Sequence, residues 1–156
     1  MRHAKSSWAD PALTDFERPL NKRGKRDAPR MAEHLKALDL EPDAIFSSSS
    51  QRTRQTVAGL VEVWGEPEKV EFLRELYHGG DEEFLEVLAA APDSFERVML
   101  VGHNPGCEYF VQDLGGDYER MPTAAVAHFT LEIESWSEVS GDFEAQLKGL
   151  WRPKEI

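Results

Sequence analysis

The chain has 156 residues, of which 40% are hydrophobic and 30% charged, a composition typical of one soluble globular domain rather than a disordered segment. Its longest apolar run, residues 87–91, is far too short to span a bilayer, and the basic start does not continue into the apolar segment of a secretory signal. The single cysteine, Cys107, excludes an internal disulfide and fits a reducing compartment, so we expect a cytoplasmic protein with no membrane partner.

The net charge of −11, from 18 basic and 29 acidic residues, argues against general nucleic-acid binding. The charges are unevenly distributed. Residues 1–56 hold 11 Lys or Arg against 8 Asp or Glu, whereas residues 57–156 hold 7 against 21. A locally cationic half in an acidic protein favours a focused anion site over a surface that follows a polyanion.

The first third of the chain predicts a loop, a helix and a strand. Residues 5–25 show no clear periodicity and are predicted to form a long loop, which in a compact domain is often functional. Apolar residues at helical spacing predict a helix over 28–38, with Pro29 in its first turn. Residues 44–46 read as a short buried strand that ends at a run of serines.

The remaining segments continue the alternation of helices and strands. The serines can cap a helix over about 51–64, and a short strand is predicted over 70–72. The apolar face around Phe84 predicts another helix that ends by Pro92. A clearly buried strand over 98–101 is followed by a helix that runs through Leu114. Residues 125–133 and 143–151 form a predicted antiparallel pair, so the chain reads as a single-domain α/β protein with a mainly parallel sheet and an antiparallel edge.

Three short segments carry residues suited to chemistry on phosphate: Arg2-His3, Ser50–Thr56 and Gly102–Gly106. In each of the last two, a predicted strand ends and a predicted helix begins, which is the place at which open α/β sheets bind ligands. Helix N-termini offer free amides to an anion, arginine binds phosphoryl oxygens with two parallel donors, and histidine can hold a covalent phosphoryl intermediate. Two arginines and two histidines could therefore transfer a phosphoryl group without a metal.

Each of these residues also has an ordinary structural interpretation. His3 could be a frayed terminal residue, and Arg52 and Arg54 could be solvated helix charges. On a helix of 3.6 residues per turn Arg54 is rotated about 200° from Arg52, so only Arg52 is predicted to face an anion. The role of His78 stays open, and a metal hydrolase that uses His3, His78 and His103 is one alternative.

Segments spread over almost the whole chain resemble, in order, the histidine phosphatase superfamily in the form of its SixA-type phosphohistidine phosphatases. The matching segments are Arg2–Ser6, Asp15–Asn21 with Arg23-Gly24, Ser48–Thr56, Val101–Gly106, Met121–Ala125 and Trp151–Lys154. The resemblance implies a phosphoglycerate mutase-like fold with helices on both faces of the sheet. It also implies a phosphatase that needs no cofactor and no metal, acting on a phosphohistidine-bearing protein or a small phosphorylated metabolite.

Carried over residue by residue, the resemblance makes His3 the nucleophile that receives the phosphoryl group. Arg2 and Arg52 become the clamps on its oxygens, and His103 the second histidine beside it. Arg18 and Asn104 are implied to be substrate-binding residues. Glu75 stands roughly where many members of the superfamily carry an acidic proton donor, so it is a candidate acid.

One departure from the family pattern lies at the start of the sequence. Members carry an apolar central strand directly before the Arg-His pair, whereas only Met1 precedes Arg2 here. We therefore expect this strand to be missing upstream of Met1. Two other functions stay open, namely a phosphomonoesterase of the same superfamily that acts on a small metabolite and a non-catalytic module that binds phosphorylated partners.

Overall fold

Strands and helices alternate along the chain in the computed structural model, which describes all 156 residues. The strands are β1 (Ala44–Ser48), β2 (Val70–Leu73), β3 (Val98–Val101), β4 (Val126–Leu131) and β5 (Ala145–Trp151). The α-helices are α1 (Lys22–Ala37), α2 (Gln51–Trp64), α3 (Asp81–Ala89) and α4 (Gly106–Gly115). Two short 3-10 helices cover Pro67–Lys69 and Trp136–Ser140. None of the helices is both long and apolar enough to cross a lipid bilayer.

The strands form a parallel sheet in the order β2-β1-β3 and an antiparallel pair of β4 with β5. Successive side chains of β1 point to opposite faces of the sheet. On one face Ile45 packs with Val57 of α2, and on the other Phe46 packs with Phe84 of α3 and Val111 of α4. The predicted α/β architecture, with helices on both faces and an antiparallel pair, is confirmed.

The start of α1 differs from the prediction. The helix begins at Lys22 rather than near residue 28, so the loop is shorter and Pro29 lies inside the helix instead of in its first turn. The side chain of Asn21 accepts a hydrogen bond from the backbone N–H of Gly24 and so caps the helix at the earlier position. Charged residues in the first turns carry no apolar periodicity, which is why the sequence pattern missed them.

Residues Met1–His3 join the two sheets. The amine of Met1 donates to the carbonyl of Leu100 at 2.7 Å, and the N–H of His3 donates to that of Gly102 at 3.0 Å. On the other side the N–H of Arg2 donates to the carbonyl of Ala125 at 3.0 Å. These bonds fix the first residues against both sheets.

A cavity of about 640 Å³ lies next to this segment, between β3 and β4. Most of the side chains that line it are hydrophobic, among them Met99, Leu100, Val126 and Phe129. On the edge of β3 that faces away from β1, backbone hydrogen bonds join Leu100 and Gly102 to Met1 and His3. The residues of β3 before Leu100 have no neighbouring strand on that edge. We call this cavity the apolar gap.

Candidate functional site

The sequence-predicted site residues meet at one edge of the parallel sheet. β1 ends at Ser48 and leads through a serine turn into α2, whose second residue is Arg52. β3 ends at Val101, and His103 comes two residues later, after Gly102. Gly102 pairs in parallel with Arg2. Because parallel strands place their carboxyl ends together, these residues lie on one edge, which we call the histidine edge.

His3 is 7% exposed and its ring orientation is fixed by a backbone carbonyl. Its Nδ1 lies 2.7 Å from the oxygen of Ala4, and because a carbonyl only accepts, Nδ1 carries the proton. Nε2 is therefore left with a lone pair. Burial, together with the nearby charges of Arg52 and Arg2, lowers the pKa of His3 to about 3, so the ring is neutral at pH 7. A neutral imidazole with a free Nε2 is the form that can attack phosphorus.

His103 lies beside His3, with 5.0 Å between the ring centroids. Its Nε2 is 2.8 Å from the hydroxyl oxygen of Ser48, which is the last residue of β1. Burial and the proximity of His3 and Arg52 lower the pKa of His103 to about 2. If the Ser48 hydroxyl donates to Nε2, Nδ1 is a donor, and this buried atom has no partner within the protein.

The two arginines near the histidines are held by different partners. Arg2 donates from Nη1 to the carbonyl of Met121 at 2.8 Å, while its buried Nε has no hydrogen-bond partner. Arg52 is only 4% exposed and donates from Nη2 to the carboxylate of Asp15 at 2.9 Å. Two guanidinium groups, one partly and one fully buried, create beside the neutral histidines a positive region that would attract an anion.

Asp15 organises the polar groups at the border of this site. Its carboxylate accepts hydrogen bonds from Arg52, from Arg18 at 2.7 Å and from the hydroxyl of Tyr77 at 2.7 Å. Burial alone would raise the pKa of Asp15, but the bond from Tyr77 and the charge of Arg52 outweigh it and lower that pKa. The carboxyl group is thus ionised at neutral pH. His78 stacks on Tyr77 with 4.0 Å between centroids and lies 3.6 Å from the same carboxylate.

Three of the four buried side-chain atoms without a hydrogen-bond partner in the whole chain lie at the histidine edge. They are Arg2 Nε, His103 Nδ1 and Asn104 Oδ1. Buried polar atoms are normally paired, so a group of unpaired ones in residues of the same edge points to a ligand. With two of the three being nitrogens, a ligand rich in acceptor oxygens such as a phosphoryl group fits them.

The structure brings together most of the residues that the sequence singled out. The site brings together Arg2, His3, Arg52 and His103. Arg18 is linked to Arg52 because both donate to the carboxylate of Asp15. Asn104 is linked to Arg2 because both donate to the carbonyl of Met121. The candidate acid Glu75 is exposed, and its side chain makes no hydrogen bond or ion pair. No contact therefore supports the proton-donor role that the resemblance implies for Glu75.

Asp15, Tyr77 and Ser48 are site residues that sequence reasoning did not single out. Asp15 lies in one of the family-like segments, three positions before Arg18, and this spacing was the one available signal. Tyr77 comes from the loop between β2 and α3, whose position depends on tertiary contacts rather than on any local pattern.

Two other chemistries find little support in the arrangement of side chains. No group of three or more His, Cys, Asp or Glu is placed to hold a metal ion, and the ring of His78 is 6.3 Å from that of His103. Burial raises the pKa of the Cys107 thiol, which keeps it protonated and makes it a poor nucleophile.

Comparison with known proteins gives consistent results. The model of the histidine phosphatase superfamily (branch 1) matches residues 1–112. An uncharacterised chloroplastic protein of Arabidopsis thaliana is 34% identical over 166 residues, covering 98% of this chain and 76% of that protein. The phosphohistidine phosphatase SixA of Escherichia coli is 29% identical over 136 residues, covering 85% of this chain and 83% of that protein.

Among solved structures, the protein histidine phosphatase SixA complexed with tungstate is similar, with a TM-score of 0.83 at 25% identity. The likeness covers 99% of this chain and 95% of that one. The architecture is therefore the phosphoglycerate mutase-like α/β fold that the motifs predicted.

Proposed function

Since the chain belongs to branch 1 of the histidine phosphatase superfamily, we propose that it is a phosphohistidine phosphatase that works through a phosphoryl group held on His3. The observation that carries this proposal is the state of His3. Its Nδ1 proton is held by the Ala4 carbonyl, its pKa is lowered to about 3, and its Nε2 lone pair is free beside His103. The SixA structure that binds tungstate, a tetrahedral oxyanion, supports an anion site in this fold.

The proposed reaction has two steps. In the first, Nε2 of His3 attacks phosphorus, the P–N bond of the substrate breaks, and the substrate imidazole, already protonated on its other ring nitrogen, leaves as the neutral ring. In the second, water attacks the phosphoryl group on His3, the new P–N bond breaks, and inorganic phosphate leaves. Arg2, Arg52 and His103 stabilise the charge on the phosphoryl oxygens in both transition states, which needs no metal.

The protonation states of the carboxyl groups favour a nitrogen leaving group over an alkoxide. An alkyl phosphate needs an acid to protonate its departing oxygen. Asp15 is held ionised by Tyr77, Arg52 and Arg18, and Glu75 is exposed without a contact to the site. A phosphohistidine needs no such acid because its imidazole can already be protonated. We expect the chain to hydrolyse phosphohistidine and p-nitrophenyl phosphate, whose leaving group is stable as an anion, but alkyl phosphates only slowly.

The decisive experiment traps the intermediate. The protein is mixed with ³²P-phosphohistidine peptide and quenched without acid, and the labelled protein is then exposed to acid or alkali. We expect a label that is labile in acid, stable in alkali and absent from His3→Ala. A label on serine or cysteine, or an undiminished label in His3→Ala, would overturn the mechanism. Binding of the peptide without turnover would instead support the non-catalytic binding module.

The cellular compartment is part of the same proposal. The single buried cysteine fits a reducing environment, and we propose a cytoplasmic location. The Arabidopsis relative is described as chloroplastic, so the family also occurs in an organelle.

A further inference from the structure

A second groove, of about 570 Å³, borders the histidine edge. It lies between the first turns of α1, the loop before β4 and the residues that follow β5. Its walls carry five cationic side chains, which are Arg23, Arg26, Arg120, Arg152 and Lys154. We call it the cationic groove.

The topology places the cationic groove beside His3. Thr123 lines the groove, and the next residue, Ala124, donates its backbone N–H to the carbonyl of His3 at 3.0 Å. Neighbouring Cα atoms are about 3.8 Å apart, so the groove begins within one or two residue lengths of the catalytic segment. β5 ends at Trp151 opposite Val126, so the residues after β5 emerge where β4 begins. A surface that presents a phosphorylated side chain to His3 would therefore also cover this groove.

The groove stays positively charged although acidic residues lie within it. Its three acids are held by arginines, with Asp27 bound to Arg26 at 2.7 Å and the other two, Glu119 and Glu155, bound to Arg152. Arg120 and Lys154 are exposed and make no ion pair. In a chain with a net charge of −11, an excess of cations in one groove next to the site is a local reversal of sign.

We propose, on the premise that the chain is a phosphohistidine phosphatase, that the cationic groove docks an acidic segment of the protein substrate next to its phosphorylated histidine. Charge complementarity steers association and fixes the orientation of a partner. Tyr118, also on the groove wall, is 55% exposed, and exposed tyrosine among arginines is typical of protein–protein interfaces. The acidic remainder of the chain would repel an extended nucleic acid.

The test compares two synthetic peptides that each carry one histidine phosphorylated with phosphoramidate. In one peptide the histidine is flanked by glutamates, and in the other by glutamines. We expect the wild-type protein to hydrolyse the Glu-flanked peptide with a kcat/KM at least about tenfold higher at low ionic strength, and this preference should vanish at high salt. Equal kcat/KM values for the two peptides at low salt would overturn the proposal.

A matched pair of double variants locates the effect. Arg120→Glu combined with Lys154→Glu should abolish the preference through KM, with kcat and the turnover of p-nitrophenyl phosphate unchanged. Lys36→Glu combined with Lys148→Glu makes the same change in net charge at exposed positions outside the groove, and it should keep the preference. If both double variants lose the preference equally, total charge rather than the groove is responsible and the docking proposal fails.

A binding measurement separates this proposal from the proposed activity. Fluorescence anisotropy with the unphosphorylated Glu-flanked and Gln-flanked peptides needs no turnover. The Glu-flanked peptide should bind the wild type more tightly, and the groove double variant should bind both peptides equally weakly. If the wild type shows this binding pattern but hydrolyses neither peptide, the docking proposal stands and the phosphatase proposal fails. If it hydrolyses the peptides but does not show the binding pattern, the phosphatase proposal stands and the docking proposal fails.

Discussion

The segment Met1–His3 separates two very different regions of the molecule. On one side lies the histidine edge, where charged and polar side chains are buried together and three of their atoms have no partner. On the other side lies the apolar gap, a cavity of about 640 Å³ between β3 and β4. Hydrophobic side chains line this cavity but do not fill it. Backbone hydrogen bonds to Leu100, Gly102 and Ala125, together with the packing of Met1 against the core, therefore hold His3 in place between the two regions.

We expect the two regions to govern different properties. Changes at the histidine edge should act mainly on the reaction rate, since the residues proposed to hold the phosphoryl group lie there. Changes in the apolar gap should act mainly on the free energy of unfolding, since apolar burial is what that region lacks.

The largest expected effect at the histidine edge is the loss of an arginine clamp. Arg52 is buried, and its charge helps to lower the pKa of both His3 and His103, whereas Arg54 is exposed, donates to the carbonyl of Ser49 and lies over the ring of Phe72. Arg52→Ala should lower kcat by roughly a hundredfold or more, because a charge-assisted bond to the transition state is worth a few kcal/mol. Arg54→Ala serves as the matched control on the same helix and should stay near wild type. Equal losses in steady-state assays of both variants would contradict this placement.

The positions of Arg52 and His103 could be predicted from the sequence because both depend on local signals. The run of serines and the helical periodicity after it locate the start of α2, although the Ser50 hydroxyl bonds to the Thr53 hydroxyl instead of capping the helix as predicted. A glycine and a proline around His103 mark the turn after a buried strand. These signals are properties of neighbouring residues, and the structure confirms both positions.

The rest of the site depends on contacts between distant segments. Asp15 meets Arg52 across 37 positions of the chain and Tyr77 across 62 positions, and no periodicity encodes such pairs. The early start of α1 likewise depends on the cap from Asn21 and on residues without an apolar pattern.

The two buried histidines should make the stability of the protein depend on pH. The pKa values of His3 and His103 in the folded protein lie at about 3 and about 2, below the 6.5 of an unperturbed histidine. Between about pH 6.5 and pH 3 the unfolded chain therefore binds more protons than the folded one, so stability rises with pH across this window and is lost on acidification. The melting temperature should fall as the pH is lowered from 7 to 4.

The variant His3→Gln removes one of these buried groups and should flatten that dependence. His78→Gln is the matched control, because the side chain of His78 is 66% exposed. Thermal melts followed by circular dichroism at a series of pH values measure both. If the slope for His3→Gln equals that of the wild type and of His78→Gln, the buried neutral histidine is not the source of the acid sensitivity.

The smallest effect on rate, and a clear one on stability, is expected from filling the apolar gap. An extension of five apolar, β-branched residues placed before Met1 would run along the free edges of β3 and β4. It would turn the buried amine of Met1, whose pKa burial lowers, into a neutral amide that makes the same bond to Leu100. Its side chains would bury apolar surface in the gap, which stabilises the fold as long as this burial outweighs the entropy lost by ordering the backbone.

The extension should raise Tm by a few degrees, while kcat/KM changes by less than about threefold, because Met1–His3 is already hydrogen-bonded on both sides. A Gly-Ser extension of equal length is the control and should not raise Tm, since it offers no side chains to the gap. Should the apolar extension melt no higher than the Gly-Ser one, the gap would not be a strand-shaped vacancy in the packing. If the apolar extension instead raised kcat/KM by about a hundredfold, the separation of activity from stability would be wrong. Packing in the gap would then be what holds His3 in place.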